Sequence, residues 1–79
     1  MVIYLKAGGG LRLRLKPDFD YYTRRVVTDE GKTVKEILDE IGVNPVFVAF
    51  VYTDGKARGL GYVPSEGQIL TLQPPVAGG

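Results

Sequence analysis

Cysteine and histidine are both missing from these 79 residues. Without thiols the chain cannot build a disulfide framework, a thiolate metal site, a cysteine nucleophile or a redox pair. Without imidazole it lacks the usual general base near neutral pH and the commonest metal ligand, so an autonomous hydrolase or metalloenzyme is not expected. Catalysis involving this chain has to be borrowed from a partner. Long apolar runs are also missing. The opening Met1-Val2-Ile3-Tyr4-Leu5-Lys6 is too short for a signal peptide or a membrane span, so no membrane partner is expected and the cytoplasm is the default compartment. Neither charge is in large excess: ten basic and nine acidic side chains leave a formal net charge of +1.

What is present describes one small folded unit. Hydrophobic residues make up 44% and charged residues 24% of the chain, a globular rather than a disordered profile. A chain of this length has room for one sheet and one main helix around a barely sufficient core.

Val2 to Ala7 is apolar, aromatic and β-branched apart from Lys6, and it reads as a first strand closed by Gly8-Gly9-Gly10. The triple glycine has neither the Gly-x-Gly-x-x-Gly spacing nor the Lys-Ser/Thr ending of a phosphate loop, so it reads as a turn. Leu11-Arg12-Leu13-Arg14-Leu15-Lys16 alternates leucine with cation as a half-buried strand does. A short helical or irregular segment is the competing reading there. Pro17 to Asp20 is a loop, and Tyr21 to Thr28 reads as a further strand.

Thr33 with Glu36 three residues later forms a capping-box signature. Val34, Ile37, Leu38 and Ile41 then fall on one helical stripe, and Gly42 followed by Pro45 stops the helix. Val46 to Tyr52 is apolar enough to be the central strand. Asp54-Gly55 is a two-residue turn signal, and Gly59 and Gly61 leave an irregular returning arm. In the last strand Leu70 and Leu72 are expected in the core, with Ile69, Thr71 and Gln73 on the outer face. The order suits an α+β fold, a mixed sheet packed on one main helix.

Charge is distributed unevenly. Lys6, Arg12, Arg14, Lys16, Arg24 and Arg25 face only Asp18 and Asp20 within the first 25 residues. No basic run or aromatic stacking motif accompanies these cations, so an acidic partner protein is expected rather than nucleic acid.

The final Pro74-Pro75-Val76-Ala77-Gly78-Gly79 cannot continue a helix or a central strand, because proline lacks a donor and glycine adds conformational entropy. A frayed end is the ordinary fate of such a string. Proline also favours extended backbone, and six extended residues reach roughly 20 Å, enough to enter a buried site on another protein. Residues 1–73 are therefore expected to form the domain and 74–79 an extended tail. A carboxyl group on Gly79 would be an anion at neutral pH, with an ordinary pKa of about 3.3–3.7, and a poor acyl donor until activated.

This string, with the Pro64-Ser65-Glu66-Gly67-Gln68 turn before the last strand, resembles the C-terminus of the ubiquitin-like sulfur carriers. It is most similar to the small subunit of molybdopterin synthase, the MoaD type, with the thiamin-pathway ThiS type as a cousin. The resemblance implies a β-grasp fold and a carrier cycle. An E1-like adenylating enzyme of the MoeB or ThiF type would activate Gly79 with ATP and magnesium, and a persulfide donor would convert it to a thiocarboxylate. No cofactor would be bound stably by the chain itself. A synthase large subunit of the MoaE type would accept the tail and pass the sulfur to a molybdopterin precursor; in the thiamin branch the acceptor is a thiazole synthase.

On this resemblance Gly78 and Gly79 carry the chemistry, while Pro74, Pro75, Val76 and Ala77 guide the tail and Gln73, Thr71 and Ile69 help dock it. Two features depart from the family: Gln73 stands where an aromatic residue often precedes the prolines, and the triple glycine is unusual. The alternatives are a carrier for thiamin or tRNA thiolation, a protein modifier whose Gly79 forms isopeptide bonds, and a plain β-grasp binding domain.

Overall fold

A computed structural model describes residues 1–76; Ala77, Gly78 and Gly79 lie outside the described residues. The first strand, β1 (Val2–Lys6), sends Ile3 and Leu5 inward, both essentially inaccessible, and keeps Val2, Tyr4 and Lys6 on the other side. The pleat produces that alternation, since successive Cβ atoms point to opposite faces.

Helix α1 (Gly9–Leu15) follows, which settles the open choice over residues 11–16 and corrects the reading of the triple glycine as a turn. Gly8 is its N-cap, and Gly9 and Gly10 begin its first turn. Leu11 and Leu15, four residues apart, are buried on one helical face, while Leu13 is 67% exposed. A strand would have placed all three leucines together. Lys16, at a left-handed φ of 57°, ends the helix and donates its amide to the Arg12 carbonyl at 3.1 Å. The sheet position beside β1 is taken instead by β2 (Thr23–Val27), which pairs with it antiparallel from Lys6↔Thr23 to Val2↔Val27. This strand is shorter than the expected 21–28. Tyr21 and Tyr22 stay exposed in the preceding loop, where Asp20 Oδ1 accepts the Tyr22 amide at 2.9 Å.

Helix α2 (Val34–Glu40) starts as its sequence predicts. The Thr33 hydroxyl accepts the Glu36 amide at 3.2 Å, and Glu36 Oε1 accepts the Thr33 amide at 3.0 Å. Two further first-turn amides are satisfied from outside the helix, Val34 N–H by the Tyr62 carbonyl and Lys35 N–H by Leu60. The irregular arm thus caps the helix. Val34, Ile37 and Leu38 are buried, Ile41 packs at the margin of the core, and Gly42 closes the helix at a φ of 79°. Among the described residues α2 is accompanied by a second helix of the same seven-residue length, α1.

The expected central strand over 46–52 is not formed as such. Pro45–Phe47 makes a 3-10 turn in which Asn44 Oδ1 accepts the Val46 amide at 3.0 Å, and Val46 is 67% exposed. Only β3 (Phe50–Thr53) is strand; Asp54 and Gly55, with φ of 52° and 74°, turn it into β4 (Lys56–Arg58). Positive φ at both central positions matches the right-handed twist of a two-residue hairpin. The sheet order is β2-β1-β5-β3-β4, so the middle strand is the last one, β5 (Ile69–Gln73). It runs parallel to β1 and antiparallel to β3. A parallel partner distant in sequence is invisible to local pattern, whereas the longest apolar run points to residues 46–52 as the middle strand.

The core lies between the inner sheet face and the two helices. Ile3, Leu5, Leu15, Ile37, Leu38, Val51, Leu70 and Leu72 are almost completely buried in it.

Candidate functional site

Strand β5 positions the site. Leu70 and Leu72 enter the core as expected, at 0% and 2% exposure. That burial fixes the alternate residues on the opposite face: Ile69 is 54% exposed, and Thr71 and Gln73 are partly covered. The strand is held on both sides, by Tyr4↔Ile69, Leu5↔Leu70 and Lys6↔Thr71 toward β1 and by Phe50↔Gln73, Val51↔Leu72 and Tyr52↔Thr71 toward β3.

The turn before β5 is equally tied down. Gln68 Oε1 accepts from the Tyr62 hydroxyl and the Ser65 amide at 3.0 and 2.7 Å, and Gln68 Nε2 donates to Asp54 at 3.0 Å. Glu66 Oε2 accepts the Val2 amide at 2.7 Å. The Pro64–Gln68 stretch thus clamps the start of β5 to both sides of the sheet.

After Gln73 the ladder ends, because Pro74 and Pro75 have no amide proton. Both prolines are exposed and Val76 is 93% exposed. Ala77, Gly78 and Gly79, including both residues assigned the chemistry, lie outside the described residues.

Two concavities flank β5. Around Ile69, the Tyr4 and Phe19 rings meet edge to face at 5.0 Å and line a hollow of about 190 Å³ with Lys6, Asp20 and Thr23 at its border. The Thr23 side chain, then the Tyr22 amide and more weakly Lys6, hold the Asp20 carboxyl below its ordinary value of 3.8. Thr23 Oγ1 is buried and makes no hydrogen bond of ordinary geometry, so its effect on Asp20 is one of proximity, and the formed bond is that from Tyr22. At the other end of β5 a groove of about 330 Å³ runs between Gly8–Gly10 and Leu11 on one side and Phe47, Pro74 and Pro75 on the other. Arg14 borders it, its guanidinium carbon 3.7 Å from the centre of the Phe47 ring. Sequence reasoning missed Arg14 and Phe47 as site residues. They are 33 positions apart and belong to segments that were both readable as strands.

Elsewhere the shifted groups are structural. The Thr33 amide and hydroxyl hold Glu36 below 4.5, and Glu40 raises Lys32 above 10.5. Among the described residues no cluster of three or more Asp and Glu side chains is placed to hold a metal ion. No helix among them is long and apolar enough to cross a membrane. The arrangement can present a backbone segment and a docking face.

No protein-family model matches the chain, and no curated protein matches it at a significant level. Among solved structures, SAMP1 from Haloferax volcanii is similar over 100% of both chains, with 29% identity and a TM-score of 0.70. The fold is a ubiquitin-like β-grasp, with its last strand in the middle of a mixed sheet.

Proposed function

We propose that this protein is a sulfur carrier activated at Gly79, acting as the small subunit of a molybdopterin synthase. The observation that carries the reading is the seating of β5. A strand paired on both sides, clamped at its start by Gln68 and Glu66, ends abruptly in two exposed prolines and a 93% exposed Val76. A base held this firmly aims whatever follows it, and a Gly-Gly end has no side chains to obstruct a narrow channel.

In the proposed cycle the Gly79 carboxylate attacks the α-phosphorus of ATP on an E1-like enzyme, giving the acyl adenylate and releasing pyrophosphate. A persulfide sulfur then attacks the acyl carbon and AMP leaves. A second thiol attacks the donor-side sulfur of the resulting acyl disulfide, so that a donor–thiol disulfide forms and the thiocarboxylate leaves. The chain itself contributes position: holding the sulfur inside the acceptor's site turns an encounter between solutes into an effectively intramolecular step. Magnesium and ATP belong to the activating partner, and acid and base groups to the acceptor.

The second reading is a ubiquitin-like protein modifier, favoured by the whole-length likeness to SAMP1. It shares the adenylation step and differs in the nucleophile, a target lysine amine in place of sulfur. A ThiS-type carrier differs only in the acceptor.

Incubation of the full chain with its host's adenylating enzyme, ATP and a persulfide donor separates the readings. Intact mass should rise by the difference between one sulfur and one oxygen. Ladders of isopeptide-linked adducts with no thiocarboxylate would favour the modifier, and failure to form any adenylate would overturn both.

A further inference from the structure

We infer that the groove between the triple glycine and the base of the tail is a second docking site, which receives an acidic segment of the enzyme that takes up Gly79. The inference rests on the carrier reading and names a contact that reading does not require.

Reach comes first. Val76 to Gly79 span at most roughly 14 Å when fully extended, so an enzyme holding the Gly79 carboxyl must come within that distance of Pro75. Pro75 lines the groove. The groove wall therefore lies within reach of any enzyme that engages the tail.

Charge decides what covers it. Ion pairs among the described residues use only Lys32 and Lys35 as cations. The cations of α1 and its end, Arg12, Arg14 and Lys16, have no ion-pair partner there, and no acid lines the groove. Arg14 is also oriented: stacking on Phe47 holds the guanidinium plane, which leaves its edge donors for a planar acceptor such as a carboxylate. Arg12 is held in the same way over Tyr21, at 4.1 Å. The Arg14 guanidinium, oriented at the groove and without an ion-pair partner among the described residues, suits bidentate pairing with Asp or Glu of a loop whose apolar neighbours rest on Phe47 and the prolines.

Of the three glycines in the groove wall, only Gly9 has a left-handed φ, 56°, that calls for glycine. A Cβ added at Gly8 or Gly10 would meet nothing within 4 Å, and neither residue has a positive φ. Their small size leaves open space along the groove wall for an incoming chain.

The test is ATP–pyrophosphate exchange by the host's adenylating enzyme, with the chain as the varied substrate and each variant's fold checked by thermal melting. Arg14→Glu should raise KM for the chain at least tenfold with kcat little changed, and should flatten the rise of KM with salt. Arg14→Lys should recover only part of the loss, because it keeps the charge and loses the fork. Gly10→Leu should raise KM through bulk alone, independently of salt. Lys56→Glu, on the β4 edge, should leave both constants near those of the parent chain. If the parent chain is activated and both Arg14→Glu and Gly10→Leu match its KM, the docking site is wrong and the carrier reading stands. If the parent chain supports no exchange, the carrier reading falls and this inference with it.

Discussion

The Ala49 amide donates to the Gln73 carbonyl at 2.8 Å, and this bond is the last rung between β3 and β5 before the prolines. It marks where the sheet stops specifying the chain's path. Gln73 is paired on its backbone and partly covered, while three residues later Val76 is almost wholly exposed. The change from anchored to unpaired backbone within three residues underlies the functional predictions.

Deleting Gly79, or adding one alanine after it, should abolish adenylation while the melting temperature changes little, as the carrier reading expects of a presented end. Paired measurements of pyrophosphate exchange and thermal unfolding check this. A large fall in melting temperature would mean that the tail packs on the body, and the presentation argument would fail.

Ile69→Glu should weaken binding to the adenylating enzyme by at least tenfold, because it puts a charge in the middle of the outer face beside Tyr4 and Phe19. The side chain is 54% exposed, so the stability cost should stay below about 1 kcal/mol. Calorimetric titration and urea denaturation report the two effects separately. Undiminished affinity would remove Ile69 from the docking face.

Leu70→Ala should cost about 2–5 kcal/mol, the range for truncating a fully buried leucine. Leu70 is 0% exposed and pairs with Leu5 across the parallel ladder. Urea denaturation checks the loss. A cost near zero would mean that this part of the core collapses around the deletion.

The capping box should appear in the acid limb of stability. Glu36 has a folded-state pKa below 4.5, so its contribution is present above that value and is lost as pH falls through the depressed one. Asp20 behaves in the same way below 3.8. Lys32 is raised, so its contribution is present below 10.5 and is lost as pH climbs past its folded value. Thr33→Ala should cost about 1 kcal/mol at neutral pH, a usual loss for a cap residue. It should also flatten the decline below pH 4.5, because Glu36 returns toward its ordinary value. Denaturant unfolding at several pH values would reveal the change in slope.

Short-range features were legible without coordinates. The Thr33–Glu36 box, the Val34-Ile37-Leu38 stripe, the Asp54-Gly55 turn and the inward direction of Leu70 and Leu72 all depend on residues within a turn or two of one another. Their spacing alone determines which groups meet. The alternation at Leu11–Lys16 was ambiguous because leucines at positions 11 and 15 satisfy a helix while those at 11, 13 and 15 satisfy a strand. Only the packing of the finished core, which buries two of the three, chose the helix.

By itself, then, the amino-acid order determined an α+β chain with one capped helix, a core-facing last strand and a proline-terminated Gly-Gly end. Tertiary structure alone decided that this last strand lies in the middle of the sheet, and that Arg14, Phe47, Pro74 and Pro75 surround one groove. Pairing between β1 and β5 and stacking between Arg14 and Phe47 join segments dozens of residues apart. Such contacts form only when burial of the common core brings those segments together, and no local periodicity encodes them.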